Sequence, residues 1–262
     1  MPARILDIPG VRNFRDMGGY VNSEGRKLAH GRLFRSGHYA DIDESTAQLI
    51  ADHGITTVVD FRSPHEKANM AITWYEPWKP NYVDNPIGGN AAAWIREMFD
   101  KLQHTEFPET ELRDQFILAF QTMPIANAAG LKRLFDVLVD DNDGGAALFH
   151  CTAGKDRTGI AGALIMRALD MPEEAIFEDF LLTNQAVDID TRAVEVAKQV
   201  SERANRPVSP KAVHPLIGVE PAFLEAAFDV MAQEHGSVDQ YLTDAMGMNS
   251  ERRDSLKARL LT

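Results

Sequence analysis

The chain has a single cysteine among its 262 residues, and it is poor in basic side chains. One cysteine excludes an intramolecular disulfide and suits a reducing compartment. The 27 Lys and Arg residues stand against 39 Asp and Glu residues, which gives a formal net charge of -12. Nucleic-acid binders need a basic surface to displace counterions from phosphates, so we expect no nucleic-acid partner. A small anionic substrate still fits where positive groups converge on one pocket.

Long hydrophobic runs are missing as well. No stretch approaches the roughly 18 apolar residues that a membrane-spanning helix needs, so we expect no transmembrane segment. Residues 1–10 lack the apolar core flanked by positive charge that is typical of a signal peptide. These absences favour a cytoplasmic location, although secretion without a cleavable signal would leave no such trace. Repeats and Gly/Ser linkers are also absent, so we expect residues 1–262 to form one domain.

Strand patterns alternate with helical patterns in the first part of the chain. Residues 55–61 read ITTVVDF, a β-branched run typical of a strand buried on both faces of a parallel sheet. Shorter strands are predicted over residues 32–35, 146–150 and 82–84. A helix over residues 43–53 stops at Gly54 before the next strand. This spacing predicts right-handed crossovers and an α/β fold with a central, mostly parallel sheet flanked by helices.

Helical patterns dominate the rest of the sequence. Residues 158–169 are almost all apolar or small, which predicts a buried central helix. Additional C-terminal helices are predicted over residues 172–183, 185–204, 220–235 and 237–246, with a last amphipathic one after them. Helices over residues 91–101 and 110–121 are candidates for a helical lid spanning about residues 90–124. Its lining would be Trp94, Phe99, Phe116 and Phe120, although apolar residues at helical spacing more often belong to the core.

The most informative segment is residues 150–159, which read HCTAGKDRTG between a predicted strand and the buried helix. Five residues separate Cys151 from Arg157, enough to wrap the backbone once around a tetrahedral anion with successive N–H groups pointing inward. The start of the following helix adds the positive end of its dipole. Because such surroundings stabilise a thiolate, we predict that Cys151 is a nucleophile in a phosphate-binding loop.

Other residues of this loop have predicted roles too. Arg157 presents a planar fork to two phosphate oxygens, and Gly154 lets the backbone turn. Thr158 donates its hydroxyl to the sulfur and stabilises it as a leaving group. His150 is more typical of a core or loop-bracing histidine than of a proton shuttle. The predicted phosphate-binding residues are Thr152, Ala153, Gly154, Lys155, Asp156 and Arg157.

Two other kinds of site do not fit these residues. A nucleotide-binding P-loop needs a glycine five positions before Gly154 and a Ser or Thr after the lysine. The chain has Phe149 and Asp156 at those positions, which disfavours ATP hydrolysis. The eight histidines form no pair at the spacing of helical metal ligands. We therefore expect neither a metal nor a cofactor.

The loop resembles that of the cysteine-based protein tyrosine phosphatases and, more narrowly, the bacterial tyrosine phosphatase family whose loop reads HCxAGKDRTG. Residues 13–19, 32–37, 60–63 and 236–242 also look like segments of that family, whereas residues 86–124 are the least recognisable. The resemblance implies a sheet wrapped by helices, no metal, and a phosphocysteine intermediate. It also implies a phosphorylated protein as substrate, on phosphotyrosine and in some members on phosphoserine or phosphothreonine.

Two alternatives remain open beside this reading. Some members of the family act on phosphoinositides, and Lys155 resembles the extra cation of such enzymes, unless it is only a solvated loop side chain. A phosphate-reading module without catalysis is the other alternative, and the intact Cys151 and Arg157 count against it.

The general acid departs from the family pattern, because residues 121–124, where compact members carry it upstream of the cysteine, contain no carboxylate. The candidates are Asp156, then Asp84, then Asp60. For Asp60 a structural role is the stronger expectation, because an Asp after a strand often caps a turn or orients an arginine such as Arg62. Three arginines are expected to be salt-bridging scaffold residues rather than substrate contacts: Arg15, Arg35 and Arg62.

Overall fold

Five strands form one sheet in the computed structural model, which describes residues 4–76, 78–88, 97–98, 100–101, 110–141 and 144–262. The strands are β1 (Arg15–Asp16), β2 (Leu33–Ser36), β3 (Ile55–Asp60), β4 (Asn81–Asp84) and β5 (Ala146–His150). Their order across the sheet is β1-β2-β5-β3-β4. Only β1 runs antiparallel to its neighbour, and the other pairs in this sheet are parallel. The predicted α/β fold with a mostly parallel sheet is confirmed.

Helices connect and surround these strands. They are α1 (Glu44–Ala51), α2 (Pro64–Asn69), α3 (Glu111–Ala126), α4 (Ala128–Asp136), α5 (Asp156–Ala168), α6 (Glu173–Ala186), α7 (Ile189–Ala204), α8 (Pro210–Ile217), α9 (Pro221–His235), α10 (Val238–Asp244) and α11 (Ser250–Leu260). A π-helical turn at Val137–Asp141 follows α4. None of the helices in the described ranges is both long enough and apolar enough to pass through a bilayer.

Strand predictions agree with the structure to within one residue at each end, and most predicted helices are present with shifted ends. Strand β1 and helix α2 were not predicted, because two and six residues are too short to show a period. Helix α8 was not predicted, because Pro210 and Pro215 interrupt its helical pattern. Helix α4 was not predicted either, since it lies between the segments whose patterns indicated structure.

The predicted lid is only partly described. Residues 89–96 and 102–109 lie outside the described ranges, and so do the side chains of Trp94 and Phe99. Phe116 and Phe120, by contrast, are buried in α3, and both rings contact Phe223 of α9. These two aromatic residues therefore belong to the core.

Side chains of the inner strands alternate between two apolar clusters, one on each face of the sheet. The larger cluster takes Leu33, Val59, Ala147 and Phe149, and the smaller takes Phe34, Val58, Ala146 and Leu148. Helix α5 packs into the larger cluster, and α1 packs into the smaller one. Both faces of these strands are thus removed from water, as the β-branched run of β3 predicted.

Strand register brings polar residues to one edge of the sheet. His150 at the end of β5 pairs with Ser36 of β2 on one side and with Asp60 of β3 on the other. Asp60 pairs in turn with Asp84 of β4. In parallel sheets this carboxyl edge is where ligands bind, and the loop that begins at Cys151 leaves β5 there.

A buried tyrosine joins the C-terminal helices to α3. The Tyr241 hydroxyl donates to the Pro124 carbonyl at 2.6 Å, in the last turn of α3. Tyr241→Phe would leave that carbonyl without its donor, so we expect the free energy of unfolding to fall by about 1–3 kcal/mol in denaturant titration. Tyr20→Phe is the matched control, because the buried Tyr20 hydroxyl has no partner among the described residues. Equal effects of the two substitutions would contradict this account.

Candidate active site

The predicted phosphate loop connects the central strand β5 to helix α5. Cys151 is the first residue after β5 and is only 2% exposed. Helix α5 begins at Asp156, two residues earlier than predicted, so Arg157 lies in its first turn. The loop is therefore placed between the carboxyl end of a strand and the N-terminus of a helix, where backbone N–H groups without intrahelical partners bind anions.

The loop lies tightly against the end of strand β2. Gly154 has a φ of +70°, and a Cβ at this position would lie 2.4 Å from the carbonyl carbon of Ser36. The His38 amide donates to the Thr152 carbonyl at 3.0 Å. A glycine is required at 154 both for its positive φ and for this close approach, as predicted for the turn of the loop.

Arg157 is held by a carboxylate that the sequence interpretation missed. Its two terminal nitrogens donate to the two carboxylate oxygens of Glu66, at 2.8 Å and 2.6 Å. Glu66 also accepts from the Thr152 hydroxyl and, at 2.9 Å, from the Ser63 amide. Burial alone would raise the pKa of Glu66, but the hydrogen bonds and charge of Arg157, with those two donors, lower it to about 2. The pair is therefore ionised at neutral pH.

A local sequence signal for Glu66 does exist. Ser63 and Glu66 form a capping box at the start of α2, with each side chain bonded to the backbone of the other. The S-x-x-E pattern of residues 63–66 marks such a helix start. It predicts where α2 begins, but it says nothing of the ion pair with Arg157, which lies 91 positions along the chain.

The bonds to Glu66 leave one edge of the Arg157 guanidinium for a ligand. The same terminal nitrogen that bonds Glu66 at 2.8 Å also faces the Phe61 and Ile87 carbonyls, at 3.2 Å and 3.4 Å. Of the five N–H groups of an arginine, this leaves the Nε–H and one N–H on the other terminal nitrogen. Within the described part of the chain neither has a hydrogen-bond partner, and together they match two phosphate oxygens.

Lys155 does not face solvent. Its ammonium donates to the carbonyls of Pro215 and Gly218, at 2.5 Å and 2.9 Å, and lies 4.4 Å from the centre of the Phe116 ring. It is 2% exposed, which excludes the solvated loop side chain considered from the sequence. Lys155 instead ties the loop to the end of α8.

The carboxyl group of Asp156 lies in surroundings that favour its protonated form more than water does. Its Oδ1 atom is buried without a hydrogen bond among the described residues and lies 3.4 Å from the Lys155 ammonium. Burial raises the pKa of Asp156, and this outweighs the opposing charges of Lys155 and Arg157. A carboxyl group whose pKa is raised keeps its proton to a higher pH than usual, which favours general-acid chemistry.

Asp60 is occupied by structural bonds. Its carboxylate accepts from Arg62 at 2.8 Å and from the Tyr82 hydroxyl at 2.8 Å, and both Asp60 and Arg62 are buried. Asp60 thus orients Arg62, the role that its position after a strand favours. His150 Nδ1 donates to the Cys151 carbonyl at 3.0 Å, since a carbonyl only accepts. Burial, opposed by Asp60, lowers the pKa of His150 to about 4, so the ring is neutral at pH 7.

Four further residues named from the sequence are Asp84, Thr158, Arg15 and Arg35. Asp84 is 55% exposed and ion-paired with Lys67 of α2, so its carboxylate is engaged at the edge of the sheet. The buried Thr158 hydroxyl has no hydrogen-bond partner in the described ranges, so its bond to the Cys151 sulfur stays a prediction. Arg15 and Arg35 both form ion pairs with Asp179, at 3.1 Å and 2.6 Å. These ion pairs agree with the salt bridges predicted for the three arginines, since Arg62 also pairs with Asp60.

Comparison with known proteins agrees with this arrangement. A family model described as "Tyrosine phosphatase family" matches residues 6–262. A tyrosine-protein phosphatase of Cupriavidus necator, so described in its name, is 31% identical over 238 residues, covering 90% of this chain and 82% of that protein. The triple specificity protein phosphatase PtpB of Mycobacterium tuberculosis is 27% identical, covering 92% of this chain and 94% of that protein.

Another relative and one solved structure complete the comparison. A tyrosine-protein phosphatase of Nostoc commune is 32% identical, covering 86% of this chain and 73% of that protein. The crystal structure of P. aeruginosa TpbA covers 66% of this chain and 79% of the TpbA chain, at 14% identity and a TM-score of 0.35. The resemblance noted from the loop and the flanking segments is confirmed by the sequence relatives.

The Glu66–Arg157 pair makes a prediction for stability. Glu66→Gln would leave a buried guanidinium without its counter-charge, which costs about 3 kcal/mol of unfolding free energy at pH 7. Folding lowers the pKa of Glu66 from 4.5 to about 2. The ionised carboxylate therefore stabilises the folded protein fully above pH 4.5, and this stabilisation is lost as the pH falls through about 2. The difference between wild type and variant should therefore shrink below pH 4.5.

The control for this measurement is Glu178→Gln. Glu178 is 59% exposed in its ion pair with Arg4, so its loss should cost about 0.5 kcal/mol or less. A Glu66 variant as stable as this control, or a stability difference that does not depend on pH, would contradict the assignment.

Proposed function

Because the chain belongs to the tyrosine phosphatase family, we propose that it hydrolyses phosphomonoesters of protein tyrosine through a phosphocysteine formed on Cys151. The observation that carries this proposal is the loop itself, in which Cys151 directly follows the central strand β5 and Arg157 lies in the first turn of helix α5. The triple specificity named for the M. tuberculosis relative supports a wider range, so we include phosphoserine and phosphothreonine as substrates. No bound cofactor enters the proposed reaction.

Substrate binding rests on the loop backbone and on Arg157. The N–H groups of residues 152–157 donate hydrogen bonds to the phosphate oxygens. The free edge of the Arg157 guanidinium donates to two of these oxygens. Glu66 holds the guanidinium from its far side through two hydrogen bonds, so little side-chain entropy is lost when phosphate binds. Fixed donors of this kind also stabilise the charge that develops in the transition state.

Phosphoryl transfer takes place in two displacements. The Cys151 thiolate attacks phosphorus, forming the S–P bond while the bond to the leaving oxygen breaks, and Asp156 gives that oxygen its proton. Water then attacks the phosphocysteine with Asp156 now acting as base, which returns the proton and releases phosphate and thiolate. Thr158 donates its hydroxyl to the departing sulfur. Covalent catalysis replaces one difficult step with two easier ones.

A phosphoinositide phosphatase remains the alternative that differs in substrate rather than in chemistry. The sequence feature that favoured this alternative is an additional cation in the loop, Lys155. In the structure the Lys155 ammonium donates to two backbone carbonyls and does not face solvent. These contacts lend the alternative no support. Comparing turnover of a phosphotyrosine peptide with that of soluble inositol phosphates separates the two, and we expect the peptide to be preferred.

The first test of the proposal is the nucleophile. Cys151→Ser should abolish turnover of p-nitrophenyl phosphate while leaving inorganic phosphate binding measurable by calorimetry, because the amide cradle and Arg157 remain. Arg157→Lys should weaken phosphate binding and turnover together, since lysine lacks the planar fork. Wild type without activity on any phosphomonoester would favour a phosphate-reading module, and turnover by the Cys151→Ser protein would refute the covalent route.

Asp156 is tested by leaving-group chemistry. Asp156→Asn should lower kcat/KM for phenyl phosphate, a poor leaving group, by about 100-fold or more but that for p-nitrophenyl phosphate far less, because kcat/KM reports the step that forms the phosphocysteine. Activity of wild type should fall as pH rises through the raised pKa of Asp156, because the acid must carry its proton, and the variant should lose this basic limb. Asp84→Asn is the matched control. Leaving-group dependence in that control alone would move the general acid to Asp84.

A further inference from the structure

Two side chains behind the loop donate to the same backbone carbonyl. Asn13 Nδ2 donates to the Gly154 carbonyl at 2.8 Å, and a terminal nitrogen of Arg35 donates to it at 3.1 Å. In a planar trans peptide the carbonyl and the following N–H point in opposite directions. A Gly154 carbonyl held outward therefore turns the Lys155 N–H toward the inside of the loop, where an anion is bound.

These two donors are themselves fixed by a buried network. Asp179 of α6 accepts from Arg35 at 2.6 Å and from Arg15 at 3.1 Å. Arg15 also donates to the Asn13 Oδ1, which leaves the Asn13 amide group to face Gly154. Asn13 has a φ of +56°, a conformation that Asn tolerates better than most residues. Both bonds to the Gly154 carbonyl thus come from side chains with a single available orientation.

The network also carries an excess of positive charge. Two guanidinium groups share one carboxylate, and Arg15 and Arg35 are both 0% exposed. Burial lowers the pKa of Arg35 to about 10, which leaves it cationic at neutral pH. A Cβ at Gly162 would lie 3.1 Å from Arg35, so this guanidinium packs against the first turns of α5. A buried charge is screened far less than one in water.

We propose that Asn13 and Arg35 are positioning residues that hold the Gly154–Lys155 peptide with its N–H toward the bound phosphate, and that the charge of Arg35 stabilises the Cys151 thiolate from behind the loop. This inference rests on the proposed function, because it assigns these residues a task in the same reaction. Neither residue contacts the substrate. Their effect is transmitted through the loop backbone and through the electrostatic potential at the sulfur.

Other charged and titratable groups lie on the elements that flank Cys151. They are Glu66 of α2, His150 of β5, and Lys155, Asp156 and Arg157 of the loop and α5. Among them His150 is neutral at pH 7, and Glu66 is paired with Arg157. A test of Arg35 must therefore leave these groups unchanged and measure the sulfur itself.

The hydrogen bond is tested by Asn13→Asp, which keeps the size of the side chain and the acceptor for Arg15 but removes the donor to Gly154. In the Cys151→Ser background we expect inorganic phosphate to bind about tenfold more weakly by calorimetry, the loss of about 1.4 kcal/mol. With Cys151 intact, kcat/KM for p-nitrophenyl phosphate should fall by a similar factor.

Asn22→Asp is the matched control for this substitution. Asn22 is also a buried Asn whose amide donates to a carbonyl, that of Leu169 at 3.1 Å, but it lies away from the loop. The Asn22→Asp protein should be less stable than wild type but should bind phosphate with unchanged affinity. Phosphate affinity unchanged by Asn13→Asp in a folded protein, or lowered equally by Asn22→Asp, would overturn the proposal.

The charge is tested by alkylation of Cys151 with iodoacetamide as a function of pH, a measurement that needs no turnover. Arg35→Met should slow alkylation at pH 6 by about three- to tenfold, because less of the sulfur is then ionised. Arg35→Lys keeps the charge and should retain the wild-type profile. An unchanged profile in a folded Arg35→Met protein would overturn the electrostatic part, and a wild type that alkylates normally but cleaves no phosphate ester would instead reject the proposed function.

Discussion

A loop whose successive N–H dipoles converge on one point repels itself, so it holds its shape only when it is fixed from outside. Contacts with several other segments do this between Cys151 and Arg157. The His38 amide bonds the Thr152 carbonyl, Asn13 and Arg35 bond the Gly154 carbonyl, and Glu66 bonds the Arg157 guanidinium. Each contact comes from a different segment of the fold. The proposed anion cradle therefore depends on the whole carboxyl edge of the sheet.

The strand order explains how one short loop collects so many partners. Strand β5 lies at the centre of the sheet, between β2 and β3, so segments that leave both neighbours meet the loop at the same edge. The β2 side contributes Arg35, paired with Asp179, and the segment after β3 contributes Glu66, paired with Arg157. These ion pairs are buried, so they are costly to desolvate and sensitive to the loss of one partner. Their position beside the loop favours a role in shape rather than in stability.

Local features of the site were predictable from the sequence, and distant partners were not. The spacing from Cys151 to Arg157 describes a loop within one segment, and a positive φ at Gly154 follows from that loop. No local signal links Glu66 or Asp179 to its arginine, because each meets its arginine only after the chain has folded. Lys155 shows the same limit, since its sequence position says it is in the loop but its carbonyl partners lie at the end of α8. The mid-chain helices were harder to predict for a different reason, because Pro215 interrupts the pattern of α8.

The most direct measurement of the central claim is the identity of the covalent intermediate. Wild-type protein mixed with p-nitrophenyl phosphate and quenched in acid within one turnover should carry a phosphoryl group on the peptide that contains Cys151, as seen by mass spectrometry. The phosphoryl group should vanish when the substrate is exhausted. Turnover of the substrate with Cys151 unmodified at every time point would contradict the account.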